Sequence, residues 1–170
     1  MASRKSATFI SLWRIAADTP DYTADDATGA GAKKTGGRWN RKGVAMLYTA
    51  QSRALACLET LVHLNLLGLP LNRYLVELQV PENSMASAAF ADPAKLPGWD
   101  AVPAGAVSLN WGDNWANGKT TLLARVPSVI VPDEWNFLVN PDHPDMKRVR
   151  IIKHGKWLYD PRFWQRSGNL

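Results

Sequence analysis

Three residues whose side chains could do chemistry lie within one short segment of the chain: Arg38, Tyr48 and Glu59. Arg38 follows Gly36 and Gly37, and two glycines permit the tight turn that would present its guanidinium group. The planar fork of an arginine can bind a diphosphate through two parallel hydrogen bonds. A tyrosine ring can stack on a cationic ring, and a carboxylate can stabilise positive charge that develops in a transition state. The segment therefore predicts a functional site.

Two residues outside this segment extend the candidate site. Arg14 lies near the end of a strand-like run, and Ser128 stands at a kink between two apolar runs. We also predict that Trp39 is presented with Arg38 from the glycine turn and contacts a substrate. Together these side chains suit cleavage of an N-glycosidic bond in a nucleotide that carries a pyrophosphate. Glu59 is the predicted catalytic carboxylate, because positive charge develops on the ribose as such a bond breaks.

Each of these residues also has a purely structural explanation. Arg38 could belong, with Arg41 and Lys42, to a solvated basic loop. Glu59 could turn to solvent from the edge of its helix, and Ser128 could satisfy local backbone groups at the kink. Taken singly, the residues leave both explanations open.

The element that must position Glu59 is a helix, which we predict over residues 53–67. Ser52 is a suitable N-cap, and Gly68 followed by Pro70 is a typical helix end. At 100° per residue, the predicted buried stripe consists of Leu55, Leu58, Val62 and Leu66. Glu59 falls on the edge of this stripe, where a carboxylate without a partner is normally avoided.

Short apolar runs elsewhere predict strands and leave one long loop. The predicted strands lie at residues 9–15, 44–48, 74–80, 122–126, 129–131, 135–141 and 148–152. Residues 18–34 show no periodicity and predict a mobile loop that could fold over a ligand. A second helix is predicted around residues 111–117, with Trp111 and Trp115 on one face.

The composition is that of one ordinary globular domain, which we predict over residues 1–170. The formal charge of +5 favours an anionic partner without choosing among phosphorylated small molecules, nucleic acids and acidic proteins. A single cysteine, Cys57, rules out an internal disulfide and fits a reducing compartment. We find no signal peptide and no run long enough to cross a membrane, and therefore expect a soluble, cytoplasmic protein. The histidines and Cys57 lack the spacing of a zinc site, so we expect no metal.

Several motifs, taken together, resemble the RES-domain family, the toxin half of RES–Xre type II toxin–antitoxin systems. The family name comes from an arginine, a glutamate and a serine. These look like Arg38 in GGRWN, Glu59 in ALACLE and Ser128 in VPSVIVP. The supporting matches are LWRI at residues 12–15, LYTA at 47–50 and NFLVNPDHP at 136–144.

The resemblance implies an α+β fold similar to the ADP-ribosyltransferase toxins, with a mixed central β-sheet, flanking helices and a cleft for NAD+. NAD+ would be the substrate, and no separate cofactor is expected. By this analogy Arg14 and Arg38 hold the pyrophosphate, Tyr48 packs on nicotinamide, Glu59 stabilises the ribosyl cation and Ser128 orients the ribose. Arg38, Tyr48, Glu59 and Ser128 are thus the predicted catalytic residues.

The resemblance also implies an Xre-like antitoxin that blocks the cleft, and it allows a homo-oligomer within the antitoxin complex. The antitoxin would carry the DNA-binding region, so no direct nucleic-acid contact is expected from this chain. We favour an NAD+ glycohydrolase or phosphorylase that causes growth arrest. The alternatives are a protein mono-ADP-ribosyltransferase and, from a different class, a nucleic-acid-binding module that uses Arg41, Lys42 and the tryptophans.

Overall fold

The computed structural model of the protein describes residues 8–64 and 70–163, and within them a seven-stranded sheet forms the centre of the fold. In space the strands run β4-β5-β6-β2-β1-β3-β7. Their bounds are β1 Phe9–Ala17, β2 Leu47–Ala50, β3 Arg73–Pro81, β4 Ala89–Phe90, β5 Leu123–Pro127, β6 Trp135–Val139 and β7 Arg150–Lys156. β4 and β5 are parallel and the other neighbours are antiparallel, so the sheet is mixed.

Four α-helices and three short 3₁₀ segments accompany the sheet in the described part of the chain. The α-helices are α1 Ala30–Thr35, α2 Arg53–Leu61, α3 Glu82–Ala86 and α4 Ala106–Gly118; the 3₁₀ segments are Pro93–Lys95, Pro144–Arg148 and Pro161–Phe163. This confirms the predicted α+β class with a mixed central sheet. None of the helices in residues 8–64 and 70–163 combines the length and apolar character needed to cross a bilayer.

The sheet is nearly divided between β1 and β2. β1 pairs with β3 along its whole length, from Phe9 opposite Pro81 to Ala17 opposite Arg73. With β2, in contrast, it makes a single registered pair, Trp13 opposite Ala50. Two half-sheets therefore meet at one point, and the space beside that point is open for a ligand.

Helices α2 and α4 lie on the same face of the sheet. Tyr48 and Ala50 alternate by two along β2 and so share a face. Tyr48 packs with the α4 cluster, and Ala50 packs with the α2 cluster. The α4 cluster contains Trp39, Met46, Trp115, Ala116, Ala124, Val126 and Leu138; the α2 cluster contains Ile15, Ala50, Leu55, Ala56, Leu75 and Tyr159. A channel between the two helices is thus floored by β2.

The helix that carries Glu59 is shorter than predicted and rotated relative to the predicted stripe. α2 ends at Leu61, and residues 65–67 of the prediction lie outside the described residues. Its buried side chains are Leu55 and Ala56, whereas Leu58 and Val62 are 39% and 59% exposed. The predicted stripe was therefore wrong at Leu58 and Val62, because the small Ala56 rather than Leu58 faces the sheet, whereas Leu66 lies outside the described residues.

Three other local predictions were also wrong. β2 begins at Leu47 rather than residue 44, because Gly43 adopts a φ of 96° and the chain is still turning there. Residues 129–131 form bends instead of a strand. The predicted loop at 18–34 contains the start of α1, and Gly29 at its N-cap lies so close to Met46 that a Cβ would meet the Met46 nitrogen at 2.7 Å.

Candidate functional site

The carboxylate of Glu59 is held from one side only. Ser52 caps α2 by accepting from the Leu55 N–H at 3.1 Å, which fixes the start of the helix two turns before Glu59. Oε1 of Glu59 accepts from the Ser128 hydroxyl at 2.7 Å and from the Asn136 side-chain amide. Oε2 has no hydrogen-bond partner among the described residues. One oxygen is therefore anchored, and the other is available to a ligand.

Ser128 both stabilises its own turn and contacts the candidate catalytic carboxylate. Its hydroxyl donates to Glu59 while accepting from the Ile130 and Val131 N–H groups at 3.1 and 3.0 Å. Its own N–H donates to the Glu134 carbonyl at 2.9 Å. The side chain is buried, and its local turn orients the hydroxyl toward Glu59. Ser128 therefore acts on the site through Glu59.

The glycine turn is built around the hydroxyl of Tyr48. This hydroxyl accepts from the Trp39 N–H at 2.9 Å and donates to Oδ1 of Asn40 at 2.7 Å. Burial raises the pKa of Tyr48 well above its usual range, so the phenol stays neutral. A Cβ at Gly37 would meet the Tyr48 hydroxyl at 2.6 Å, which explains the glycine. The ring of Tyr48 lines the cleft while its hydroxyl fixes the turn.

Replacing Tyr48 by phenylalanine is expected to destabilise the fold by about 1–3 kcal/mol, because a buried N–H and a buried amide oxygen would each lose a partner. Urea unfolding followed by tryptophan fluorescence measures this loss. Tyr22→Phe is the matched control, because Tyr22 is half-buried and its hydroxyl makes no hydrogen bond to a described residue. Equal stability of the two variants would contradict the role given to the Tyr48 hydroxyl.

Arg38 leaves the turn and reaches across the cleft mouth. Its Nη1 donates to the Trp99 and Ala101 carbonyls at 3.0 and 2.8 Å. Its Nε and Nη2 make no hydrogen bond within the described part of the chain, so they remain available to an anion. Trp39, in contrast, is only 2% exposed; its ring stacks on Trp99 and meets Trp111 edge-on. Trp39 therefore serves mainly to hold the turn against α4.

Arg14 is already engaged with the loop that follows β1. Its Nη2 donates to the Ala24 carbonyl and, at 3.0 Å, to the Asp26 carbonyl. Its Nε is buried without a partner. Burial lowers the pKa of Arg14 to about 10, so the guanidinium is still charged at neutral pH. These bonds tether the loop that we predicted to be mobile, and Asp18 adds an ion pair with Lys153 at 2.7 Å.

A cavity of about 910 Å³ brings these groups together. Its lining includes Arg14, Arg38, Trp39, Tyr48, Glu59 and Asn136. Ser128 lies behind Glu59 and is not part of the lining. Pockets of about 300–1,000 Å³ hold whole small-molecule ligands, so this one has room for a dinucleotide. The cavity combines guanidinium groups with one partly free carboxylate.

Asn136 is the site residue that the sequence did not single out. It lies on β6 opposite Ala50, on the face occupied by α2. Its Nδ2 donates to Glu59, and its Oδ1 is buried without a partner. An asparagine inside an otherwise apolar strand is a signal that could have identified it, because a buried amide needs hydrogen-bond partners.

Comparisons with known proteins identify the family of the chain. A family model described as RES domain matches residues 11–160. A relative from Sphingobium sp. (strain YBL2), named Prs ADP-ribosylating toxin, is 61% identical over 92% of this chain and 98% of the relative. A protein from Yersinia enterocolitica serotype O:8, named Toxin Res, is 34% identical over 83% of this chain and 92% of that protein.

The fold also has a counterpart among solved structures. A chain in the crystal structure of the M. tuberculosis MbcT–MbcA toxin–antitoxin complex superposes with a TM-score of 0.54 at 14% identity, over 93% of this chain and 88% of that one. At that identity the likeness shows the fold alone. The family match includes Arg38, Glu59 and Ser128 and confirms the resemblance drawn from them. The chain therefore belongs to the RES domain family of toxins.

Proposed function

We propose that the protein cleaves the nicotinamide–ribose bond of NAD+ and transfers ADP-ribose to a protein. The observation that carries the proposal is the Glu59 carboxylate, which has Oε1 bonded to Ser128 and Asn136 and Oε2 open to a cavity with two arginines. An anchored carboxylate needs little reorganisation when positive charge develops beside it. Cations on the cavity wall suit a substrate that carries a diphosphate.

The reaction follows from the charge changes in the substrate. As the bond between the ribose C1′ and the nicotinamide nitrogen breaks, both electrons leave with nicotinamide, and the ribose becomes cationic. Glu59 stabilises this cation more than it stabilises the ground state, which lowers the barrier. Arg38 and Arg14 hold the diphosphate, and the Tyr48 ring packs on nicotinamide. The acceptor then forms a bond to C1′ and loses a proton.

The acceptor is where the proposal departs from the preference drawn from the sequence. That preference was water or phosphate, with a protein as the alternative. The relative at 61% identity carries the name Prs ADP-ribosylating toxin. So high an identity over nearly both whole chains supports the same class of reaction here. We therefore place a protein acceptor first, and keep NAD+ glycohydrolase or phosphorylase activity as the second candidate.

An antitoxin that covers the cavity completes the proposal. The related fold comes from the M. tuberculosis MbcT–MbcA toxin–antitoxin complex. Exposed apolar side chains line the cavity of this chain: Val62 is 59% exposed, Val102 84% and Val129 38%. Burying such side chains against a partner is favourable. The Xre type of that partner, and any homo-oligomer in the complex, stay predictions.

Incubation of the purified protein with labelled NAD+ tests the reaction. Samples contain buffer alone, phosphate, or a lysate of the cells in which the toxin acts. Label on a lysate protein supports a protein acceptor. Nicotinamide release without lysate supports hydrolysis, or phosphorolysis if it depends on phosphate. NAD+ that stays intact in every sample would refute the proposal.

Asn136→Ala is expected to lower kcat by about 10- to 100-fold, since a hydrogen bond to a charged group contributes about 1.5–3 kcal/mol. KM for NAD+ should change little, because Asn136 acts on the substrate through Glu59. Steady-state kinetics measures both constants. Asn83→Ala is the matched control, because Asn83 is an exposed asparagine on α3. An increase in KM alone would contradict this positioning role.

A further inference from the structure

A second, smaller cavity opens where the two half-sheets separate. It has a volume of about 230 Å³ and lies between the end of β1, the start of β2 and the loop that leads into α1. It shares Arg14, Ile15, Ala32 and Tyr48 with the larger cavity, so the two adjoin. Since pockets for whole ligands measure about 300–1,000 Å³, this space suits one chemical group of a larger molecule.

Arg73, at the start of β3, lines this cavity and differs from the other described arginines. Each of the other described arginines makes a hydrogen bond, an ion pair or a contact with an aromatic ring. These arginines are Arg14, Arg38, Arg41, Arg53, Arg125, Arg148, Arg150 and Arg162. Within residues 8–64 and 70–163, the Arg73 guanidinium makes none of these contacts, and its Nε is buried. The rest of the Arg73 side chain is half-buried. A buried N–H donor without an acceptor is unfavourable.

Burial raises the pKa of the Tyr159 hydroxyl, and the Arg73 charge opposes that rise. The hydroxyl donates to Thr60 at 2.9 Å, and Thr60 lines the larger cavity. Arg14 contributes a second buried Nε without a partner. The acid in the smaller cavity is Asp26, whose two carboxylate oxygens accept from Thr28 and Ala30. The Asp26 charge lies close enough to Arg14 to act on it, but neither Arg14 nor Arg73 forms an ion pair with a carboxylate of the described residues.

We propose that Arg73 and Arg14 form a subsite for a phosphoryl group, and that the group is part of the NAD+ diphosphate. This rests on the proposed function, because the continuity of the two cavities lets a dinucleotide in the larger one extend into the smaller. Bidentate binding by guanidinium groups suits phosphate oxygens. Arg73 is thus a substrate-binding residue in addition to Arg14 and Arg38.

Arg73→Met tests the subsite, because it keeps much of the apolar stem and removes the charge. We expect at least tenfold weaker binding of ADP-ribose and of inorganic pyrophosphate by calorimetry, with adenosine binding unchanged. The melting temperature without ligand should stay equal or rise, since an unpaired cation has been removed. Arg150→Met is the control, because Arg150 lies over the Phe9 ring on the edge strand β7.

Two outcomes would overturn the subsite: a lower melting temperature with unchanged ADP-ribose affinity, or phosphate binding that depends on Arg73 but is not displaced by ADP-ribose. The second would assign the group to free phosphate instead of the dinucleotide. Loss of pyrophosphate binding in Arg73→Met, in a protein that does not consume NAD+, would support the phosphoryl subsite and refute the proposed reaction. If Arg73→Met still consumes NAD+ with an unchanged KM, the result would support the proposed reaction and refute the phosphoryl subsite.

Discussion

Glu59→Gln should reduce the rate of NAD+ cleavage by about 10³-fold while leaving the protein folded. The amide oxygen of glutamine can still accept from Ser128 and Asn136, so the local hydrogen bonds survive. The negative charge that faces the ribose in the proposed reaction is lost, and removal of one preorganised electrostatic group typically costs 10²–10³ in kcat, here about the upper end. Nicotinamide release under single-turnover conditions measures the effect.

Glu82→Gln is the matched control for this substitution. Glu82 is an exposed carboxylate in the first turn of α3, outside the cavity lining. Its replacement should leave the rate unchanged within about twofold. A folded Glu59→Gln protein that consumes NAD+ at the normal rate would show that the catalytic carboxylate has been assigned wrongly.

The second large effect is expected at Gly112, in the middle of α4. A Cβ at this position would lie 1.8 Å from the carbonyl oxygen of Trp39, which is backbone and cannot rotate away. Gly112→Ala should therefore destabilise the fold by about 3 kcal/mol, the upper end of typical overpacking costs. It should also displace the turn that presents Arg38. Urea unfolding and NAD+ cleavage measure the two effects.

The same helix supplies the control for Gly112. Gly118 ends α4, and a Cβ there would meet nothing within 4 Å. Gly118→Ala should be neutral or stabilise the fold by up to about 1 kcal/mol, because alanine favours a helix more than glycine does. If both alanine variants had the same stability, the close contact between α4 and the turn would not exist as described.

Asp113 explains why α4 must approach the turn so closely. Its Oδ1 accepts from the Arg41 N–H at 3.0 Å, and its Oδ2 pairs with the Arg41 guanidinium at 2.6 Å. Arg41 was predicted only as part of a solvated basic loop or a nucleic-acid surface. This pairing fastens the turn to α4 and gives Arg41 a structural role, which weakens the nucleic-acid alternative.

Some features of the site were predicted from residues that are neighbours in the sequence, and others from motifs spread along the chain. Gly36 and Gly37 indicate the turn because nearby backbone conformation demands glycine, and Ser52 indicates the helix start because its side chain accepts a backbone N–H two or three residues on. The motifs around Arg38, Glu59 and Ser128 indicate the RES domain family, and the match of the family model to residues 11–160 confirms it. A single domain over residues 1–170, with cytoplasmic localisation and no cofactor, stays a prediction.

The sequence by itself thus determined the α+β class, the family and the candidate residues, because these depend on local patterns and on motifs in order. Only the tertiary structure decided which atoms meet. Ser128 and Asn136 reach one oxygen of Glu59 from 69 and 77 residues away, and no local pattern encodes such a pairing. The lack of a hydrogen-bond acceptor for Arg73 Nε within residues 8–64 and 70–163 likewise became visible only in the folded chain.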